Sequence, residues 1–465
     1  MSPSKRLNRR DFLRLSTVGA GAVALAACAA PVAPAATGSQ PSEAGAAPAA
    51  AATEVRFTHW WGEQFQHYIP LLEEKTGIKA IEEPSPYSGY FEKLLTQLVA
   101  GVGPDFMLLD ANEFGQFWPS GTVAPMDDYL ASAGVDMSKW NVPQNEENGW
   151  EGKVMGLSLF TMQDLILHVN KELADEAGMT ESLPVWGSDN FDNWRWDDLV
   201  EWAKQGTKVN ADGTVAQYGL ATNVSGFWDL HRTLIASNGG AILDDEWNFQ
   251  ETTSLVNTPE VVEALQVLVD AVNVHKISPT PDAAQAIQGG AYRAQRAVAD
   301  ITWSTPSIYP ENVGFEQIYA HLPFLGRRVH AFGANCLALN AASQQLEDAA
   351  NWVITFCVDE DVRQQFLQIS SVPAYDPVPI VEASPDGRAK TIAMINLSRI
   401  PGMSTIPANA EDVANYPRWY GAKAPQFMRD TLSAAMQSVV IGSAGLQEAM
   451  DDAKAKIDAE LAKAI

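Results

Sequence analysis

The chain has 465 residues, more than one hydrophobic core usually serves, so two folded bodies are expected. Hydrophobic residues make up 46% and charged residues 19%, which excludes a disordered chain. A formal net charge of −26 argues against nucleic acid and other anionic partners, because phosphate binding is driven by Lys and Arg.

The first element is a basic start, KRLNRR, followed by a short apolar run from Thr17 to Ala27. Eleven residues of helix cannot cross about 30 Å of hydrocarbon, so the run reads as the apolar stretch of an export signal. Arg9-Arg10-Asp11-Phe12-Leu13 resembles the twin-arginine export motif, and Leu25-Ala26-Ala27-Cys28 resembles a bacterial lipoprotein cleavage box. Residues 1–27 are therefore expected to be removed and Cys28 to carry lipid. Residues 28–53, rich in Ala, Pro, Gly and Ser, bury too little to fold and read as a flexible tether. A body anchored this way works outside the cytoplasm, at the cell surface or in a periplasm. It has no access to cytoplasmic ATP or NAD, and no cofactor is expected.

From Glu54 onward short apolar runs alternate with amphipathic stretches. Val55–Trp60 reads as a strand that delivers two adjacent tryptophans, Trp60 and Trp61. Phe91 to Val99 places Phe91, Leu94, Leu95 and Leu98 on one helical face. PDFMLLD, Pro104–Asp110, reads as a buried strand ending in a carboxylate, and Leu165–Val169 as another strand. TPEVVEALQVLVDAV predicts a helix with Thr258 as N-cap, Pro259 at N1, and Val261, Leu265, Leu268 and Val272 facing inward. ANCLALN is a strand, and EDAANWVITFCVDEDVRQQFL reads as helical, packing through Ala350, Val353, Ile354 and Cys357. Strands interleaved with helices imply α/β layers with largely parallel sheets. Cys336 and Cys357 read as two buried thiols; whether they pair is left open, since pairing depends on geometry.

The order of these segments resembles the family 1 extracellular solute-binding proteins of ABC importers, the group that includes carbohydrate-binding proteins. The stretches that carry the likeness are EEKTGIKA, GVGPDFMLLD, LILHVNKELADEAG, NWRWDDLVEWAK, YGLAT, SNGGAILDDE, ITWSTPSIY and LEDAANWVITFCVDEDVRQQFL. One stretch departs: IQGGAYRAQRAVADITWS has Gln295-Arg296 where Gly-Lys is usual, and Asp300 where a small residue is expected. The resemblance implies a periplasmic-binding-protein-like α/β fold, with two lobes joined by a multi-crossing hinge. The first lobe is expected at 54–159 and 322–372, the second at 160–321 and 373–465. A solute would lie between them, at the carboxyl ends of strands.

Sugars offer apolar C–H faces, which suit indole rings, and hydroxyls, which suit carboxylates and amides. Candidates for such contacts are Trp60 or Trp61 (one toward the ligand, the other in the core), Tyr87 and Tyr90 in PSPYSGY, Asp110, Gln163 and Asp164 in FTMQD, Trp228, Trp303, and Gly333 with Asn335 in FGANC. Each has a structural alternative: core packing for the aromatics, helix capping for Asp110, a hinge role for Gly333 and Asn335. Trp194, Trp196 and Trp202 have helical spacing and belong to a core. The chain lacks GxSxG, HExxH, a P-loop and a GxGxxG opening a helix, so an enzyme is not expected, nor a metal site. A glycosidase, needing only two carboxylates about 5–9.5 Å apart, is a remote alternative. A nearer alternative is a quaternary amine or other cationic solute held by aromatics. The expected partners are a carbohydrate, a membrane permease and, through Cys28, the membrane; the protein is expected to be a monomer.

Overall fold

The first strand forms where alternation demands it. In Thr53–His59 the side chains of Val55 and Phe57 are fully buried, while Glu54 and Arg56 face outward. The computed structural model describes residues 53–140, 148–161, 165–191, 193–246, 249–303, 309–329, 335–366, 372–398, 413–414 and 425–463. Residues from Ala52 to Ile465 make one compact unit. Among the described residues no helix is long and apolar enough to cross a membrane.

Two sheets organise this unit. The first runs in the order Ile78–Pro84, Thr53–His59, Phe106–Asp110, Asn335–Asn340, Val123–Ala124, with Leu157–Ser158 also pairing Asn335–Asn340. The second runs Lys208–Val209, Val215–Ala221, Ala297–Trp303, Leu165–Asn170, Gln317–Ala320. The sheets are mixed, not largely parallel. Thr53–His59 is parallel to both its neighbours, but Asn335–Asn340 runs against Phe106–Asp110, and Leu165–Asn170 runs against both of its own.

Each sheet has its own core. In the first, Phe57 lies flat on Phe106, centroids 4.9 Å apart at 4°, and Trp352 tilts against both. Burying each such ring contributes about 1.5–3 kcal/mol. The helix bearing Trp352 does not run on to residue 366. It breaks into Leu346–Val358 and Glu360–Phe366 at Asp359, whose carboxylate accepts the N–H groups of Asp361 and Val362 at 3.0 and 3.2 Å. A short acidic side chain that caps the second helix competes with continuing the first.

The second core gathers Pro259–Asn273 through Val261, Leu265, Leu268 and Val272, together with the C-terminal helices Pro425–Val440 and Leu446–Leu461. Thr258 occupies the cap position but makes no side-chain cap bond. Trp194, Trp196 and Trp202 are buried here, and the Trp202 indole N–H donates to the Met179 carbonyl at 3.0 Å. Leu322 and Val329, expected with the first body, pack in this second core, while Ala374, expected with the second, packs in the first. These residues therefore pack across the boundaries that the resemblance implied. Cys336 and Cys357 are separate buried thiols in different clusters.

Candidate functional site

Asp110 ends its strand and turns the chain. Its Oδ1 accepts the Asn112 N–H at 2.9 Å, capping the short turn Ala111–Glu113. One carboxylate oxygen is thereby committed to the turn. Asn335, the first residue of the neighbouring strand, stands directly opposite Asp110 in the antiparallel register. The Asp110 carboxyl faces charges of both signs: Arg429 and Arg232 favour its ionisation, and Asp229 opposes it. Burial outweighs these and raises the carboxyl above its ordinary value.

Glu113 stands beside it. Burial first, then the charge of Asp110, pushes its carboxyl up to about 7, against the pull of Arg429 and a hydrogen bond from Gln116. Two neighbouring acids are thus held near arginines whose helices pack in the other core. Arg232, on the helix Asp229–Ser237, is only 3% exposed. Its Nη1 donates to Asn112 Oδ1 at 3.0 Å, and its Nη2 lies 3.3 Å from Asp229. Arg429, on the helix Pro425–Val440, reaches the Tyr87 hydroxyl and acts on both acids. These contacts join the end of the first sheet to helices packed on the second.

Tyr87 connects this polar set to the tryptophans. It is 41% exposed and meets the Trp60 ring edge-on, centroids 5.5 Å apart. Trp60 also lies edge-on to Tyr90 and Phe91, at 5.1 and 5.3 Å. Trp61 turns the other way and stacks on Phe65 of the first core at 5.2 Å and 15°. Its backbone N–H donates to His59 Nδ1 at 3.2 Å, while His59 Nε2 meets Glu82 at 2.7 Å. The pair therefore splits: Trp61 lies along the core, and Trp60 belongs to the aromatic cluster beside Tyr87. Tyr90 is buried under Trp60, and its hydroxyl lies 3.0 Å from the carbonyls of Thr58 and Leu108. It braces the cluster from beneath, because its one O–H is already committed to backbone.

The family whose description is "Bacterial extracellular solute-binding protein" matches residues 42–362, more than half of the chain. The chain belongs to this family. Solved solute-binding proteins share the fold. An ABC substrate-binding protein from Listeria monocytogenes in complex with cycloalternan aligns with a TM-score of 0.67 at 20% identity, over 88% of this chain and 99% of that one. The cyclic alpha-maltosyl-1,6-maltose binding protein from Arthrobacter globiformis aligns with a TM-score of 0.66 at 19% identity, over 89% of this chain and 100% of that one. Among characterised relatives, an arabinooligosaccharide-binding protein of Halalkalibacterium halodurans is 26% identical over 204 residues, 43% of this chain and 40% of its own. An erythritol/L-threitol-binding protein of Mycolicibacterium smegmatis is 28% identical over 180 residues, 35% of each. The match thus spans well under half the length of these two relatives.

The remaining candidates of this solute-binding protein fall as follows. Trp228 is half-buried at the start of the Asp229 helix, and its indole N–H donates to the Asn223 carbonyl at 2.6 Å. Trp303 closes its strand opposite Leu165, half-buried against the second core. Cys28, Gln163, Asp164 and Gly333 lie outside the described residues. Asn112, Glu113, Asp229, Arg232 and Arg429 were not singled out from the sequence. Glu113 follows Asp110 by three residues and Arg232 follows Trp228 by four, so searching one helical turn beyond each candidate finds both. Arg429, in PQFMRD, carries no local signal. Among the described residues no group of three or more His, Cys, Asp or Glu is placed to hold a metal ion. The Trp60 cluster packs edge-to-face on itself, and Arg429 reaches it through the Tyr87 hydroxyl.

Proposed function

We propose that this protein captures a sugar or oligosaccharide between its two bodies and delivers it to an ABC permease. The first body takes the sheet of Asp110 and the second the sheet of Trp303, with the crossings near residues 160, 330 and 375 acting as the hinge. The observation that carries this reading is the set of Asp110, Glu113, Arg232 and Arg429 brought together beside Trp60 and Tyr87. Carboxylates accept from sugar hydroxyls, guanidinium groups donate to them, and the rings cover C–H faces. The sugars and polyols named for its relatives agree with that chemistry. Trp228 and Trp303 extend the wall on the second body; Gln163, Asp164, Gly333 and Asn335 are assigned to the crossings beside it.

The protein binds and releases its solute unchanged, as a monomer and without a cofactor. It is exported through the Arg9-Arg10 signal and held at the membrane by lipid on Cys28. Fatty-acid labelling should mark the wild type and not Cys28→Ser. The solute reading is tested by calorimetry against a panel of sugars and quaternary amines. Leaving hydroxyls unpaired costs about 1–3 kcal/mol, so Asp110→Ala should weaken sugar binding about tenfold to a hundredfold. Binding of an amine and of no sugar would overturn the reading.

A further inference from the structure

A second cavity, of about 220 Å³, lies at the end of the strand Val215–Ala221, beside Ala297–Trp303 and the short helix Pro281–Ala286. Thr222, Asn223, Ala284, Tyr292, Arg293 and Asp300 are among its walls. Asp300 reaches this place because it sits in the sheet directly beside Ala221 and opposite His168.

The polar groups here are not those of an ordinary apolar core. Tyr292 is 2% exposed and Thr222 9%, yet the hydroxyl of each is buried with no hydrogen-bond partner among the described residues. A buried polar group left unpaired costs about 1–3 kcal/mol, so two together need a reason. Asp300 adds a carboxyl whose pKa burial raises well above its ordinary range, although the charge of Arg293 opposes the rise. A solute hydroxyl suits such a wall, since it can donate to the carboxyl and meet the two unpaired protein hydroxyls as donor or acceptor. The other walls include proline and alanine carbons, which suit C–H groups. The size falls below the roughly 300–1,000 Å³ of pockets that take drug-sized ligands, which excludes an oligosaccharide.

We infer that this cavity is a second binding site, for one small uncharged polyhydroxylated molecule such as a single sugar ring or a short polyol. It goes beyond the capture site proposed above and does not depend on it. The loop that lines the cavity also holds Trp228, whose indole N–H donates to the carbonyl of Asn223.

The test uses the full chain carrying Asp110→Ala, which weakens the first site about tenfold to a hundredfold, with xylitol and glucose as probes in calorimetry. Ala284 is an exposed residue at the cavity wall, so Ala284→Trp fills the space without disturbing a core. Asp110→Ala should still bind one probe, and adding Ala284→Trp should weaken that binding at least tenfold. Three results would overturn the inference: no probe binding by Asp110→Ala, equal binding with and without Ala284→Trp, or preference for guanidinium over both probes. Failure of the capture site reads differently, as sugar binding by the otherwise wild-type chain that Asp110→Ala leaves unchanged.

Discussion

Replacing Glu113 with glutamine removes an ionisable group and almost no volume, and the geometry sets the result. Burial, reinforced by Asp110, raises the Glu113 carboxyl from 4.5 to about 7 in the folded chain. Below pH 4.5 the group is largely protonated whether the chain is folded or not, and the folded state carries no penalty. As the pH rises toward 7 the unfolded chain gives up its proton while the folded chain keeps it, so stability falls. Above 7 the loss is complete and constant. A rise of about 2.5 pH units is worth about 3 kcal/mol, and solvent around this half-buried group reduces the effect to about 1–3 kcal/mol. Glutamine pays none of it and can still accept the hydrogen bond from Gln116. Glu113→Gln should therefore stabilise the protein by about 1–3 kcal/mol at pH 8 and by less than about 1 kcal/mol at pH 5. Urea unfolding followed by tryptophan fluorescence, on both proteins at both pH values, measures this. An equal difference at pH 5 and pH 8, or a variant less stable at pH 8, would refute the reasoning.

Other outcomes follow from single contacts. Arg232→Met and Asn112→Ala, combined in a double-mutant cycle, should show a coupling of about 1.5–3 kcal/mol, because the bond between them has a charged donor and is buried. A coupling near zero in urea unfolding would show that this bridge carries no weight. A Cβ placed on Gly219 would lie 1.8 Å from the Ala203 carbonyl oxygen, which no rotamer relieves. Gly219→Ala should cost at least about 1–3 kcal/mol, and an unchanged melting temperature would contradict the close strand–helix approach. Cys336 and Cys357 are buried, and burial pushes the Cys357 thiol well above its ordinary value. Neither should react with a thiol reagent until the protein is denatured; rapid labelling of the native chain would show that this burial is wrong.

The elements of this fold were legible wherever apolar spacing alone decides them. Phe91, Leu94 and Leu98 share a buried helical face, and Asp110 stands at a strand end, as their spacing implied. What the sequence hid was direction and distance. Nothing local says whether Asn335–Asn340 enters its sheet along or against Phe106–Asp110, because that depends on the side from which the chain returns. The break at Asp359 was hidden because VDEDV reads equally well as a solvated helical turn or as a cap. The site was half visible for the same reason. Aromatic and acidic residues next to strand ends announce themselves locally. Arg232 and Arg429 meet Asn112, Asp110 and Tyr87 from far along the chain, and a single sequence holds no record of such meetings.

The meeting of those charges bears on what the site can hold. Three acids, Asp110, Glu113 and Asp229, face two arginines, Arg232 and Arg429. Burial raises the carboxyls of both Asp110 and Glu113, the latter to about 7, which draws the set toward balance with the two arginines at neutral pH. A charged solute entering it must either tip that balance or displace an existing partner, and a buried charge without a partner is costly. A neutral solute with several hydroxyls avoids both costs, since each hydroxyl can donate to a carboxylate and accept from a guanidinium. Asp110 ends a strand of the first sheet and Glu113 lies in the turn that follows it, while the arginines ride on helices of the second core. A hydroxyl that uses both its donor and its acceptor capacity therefore joins groups of both elements at once, and the capture proposed above would use that bridge to favour a closed arrangement.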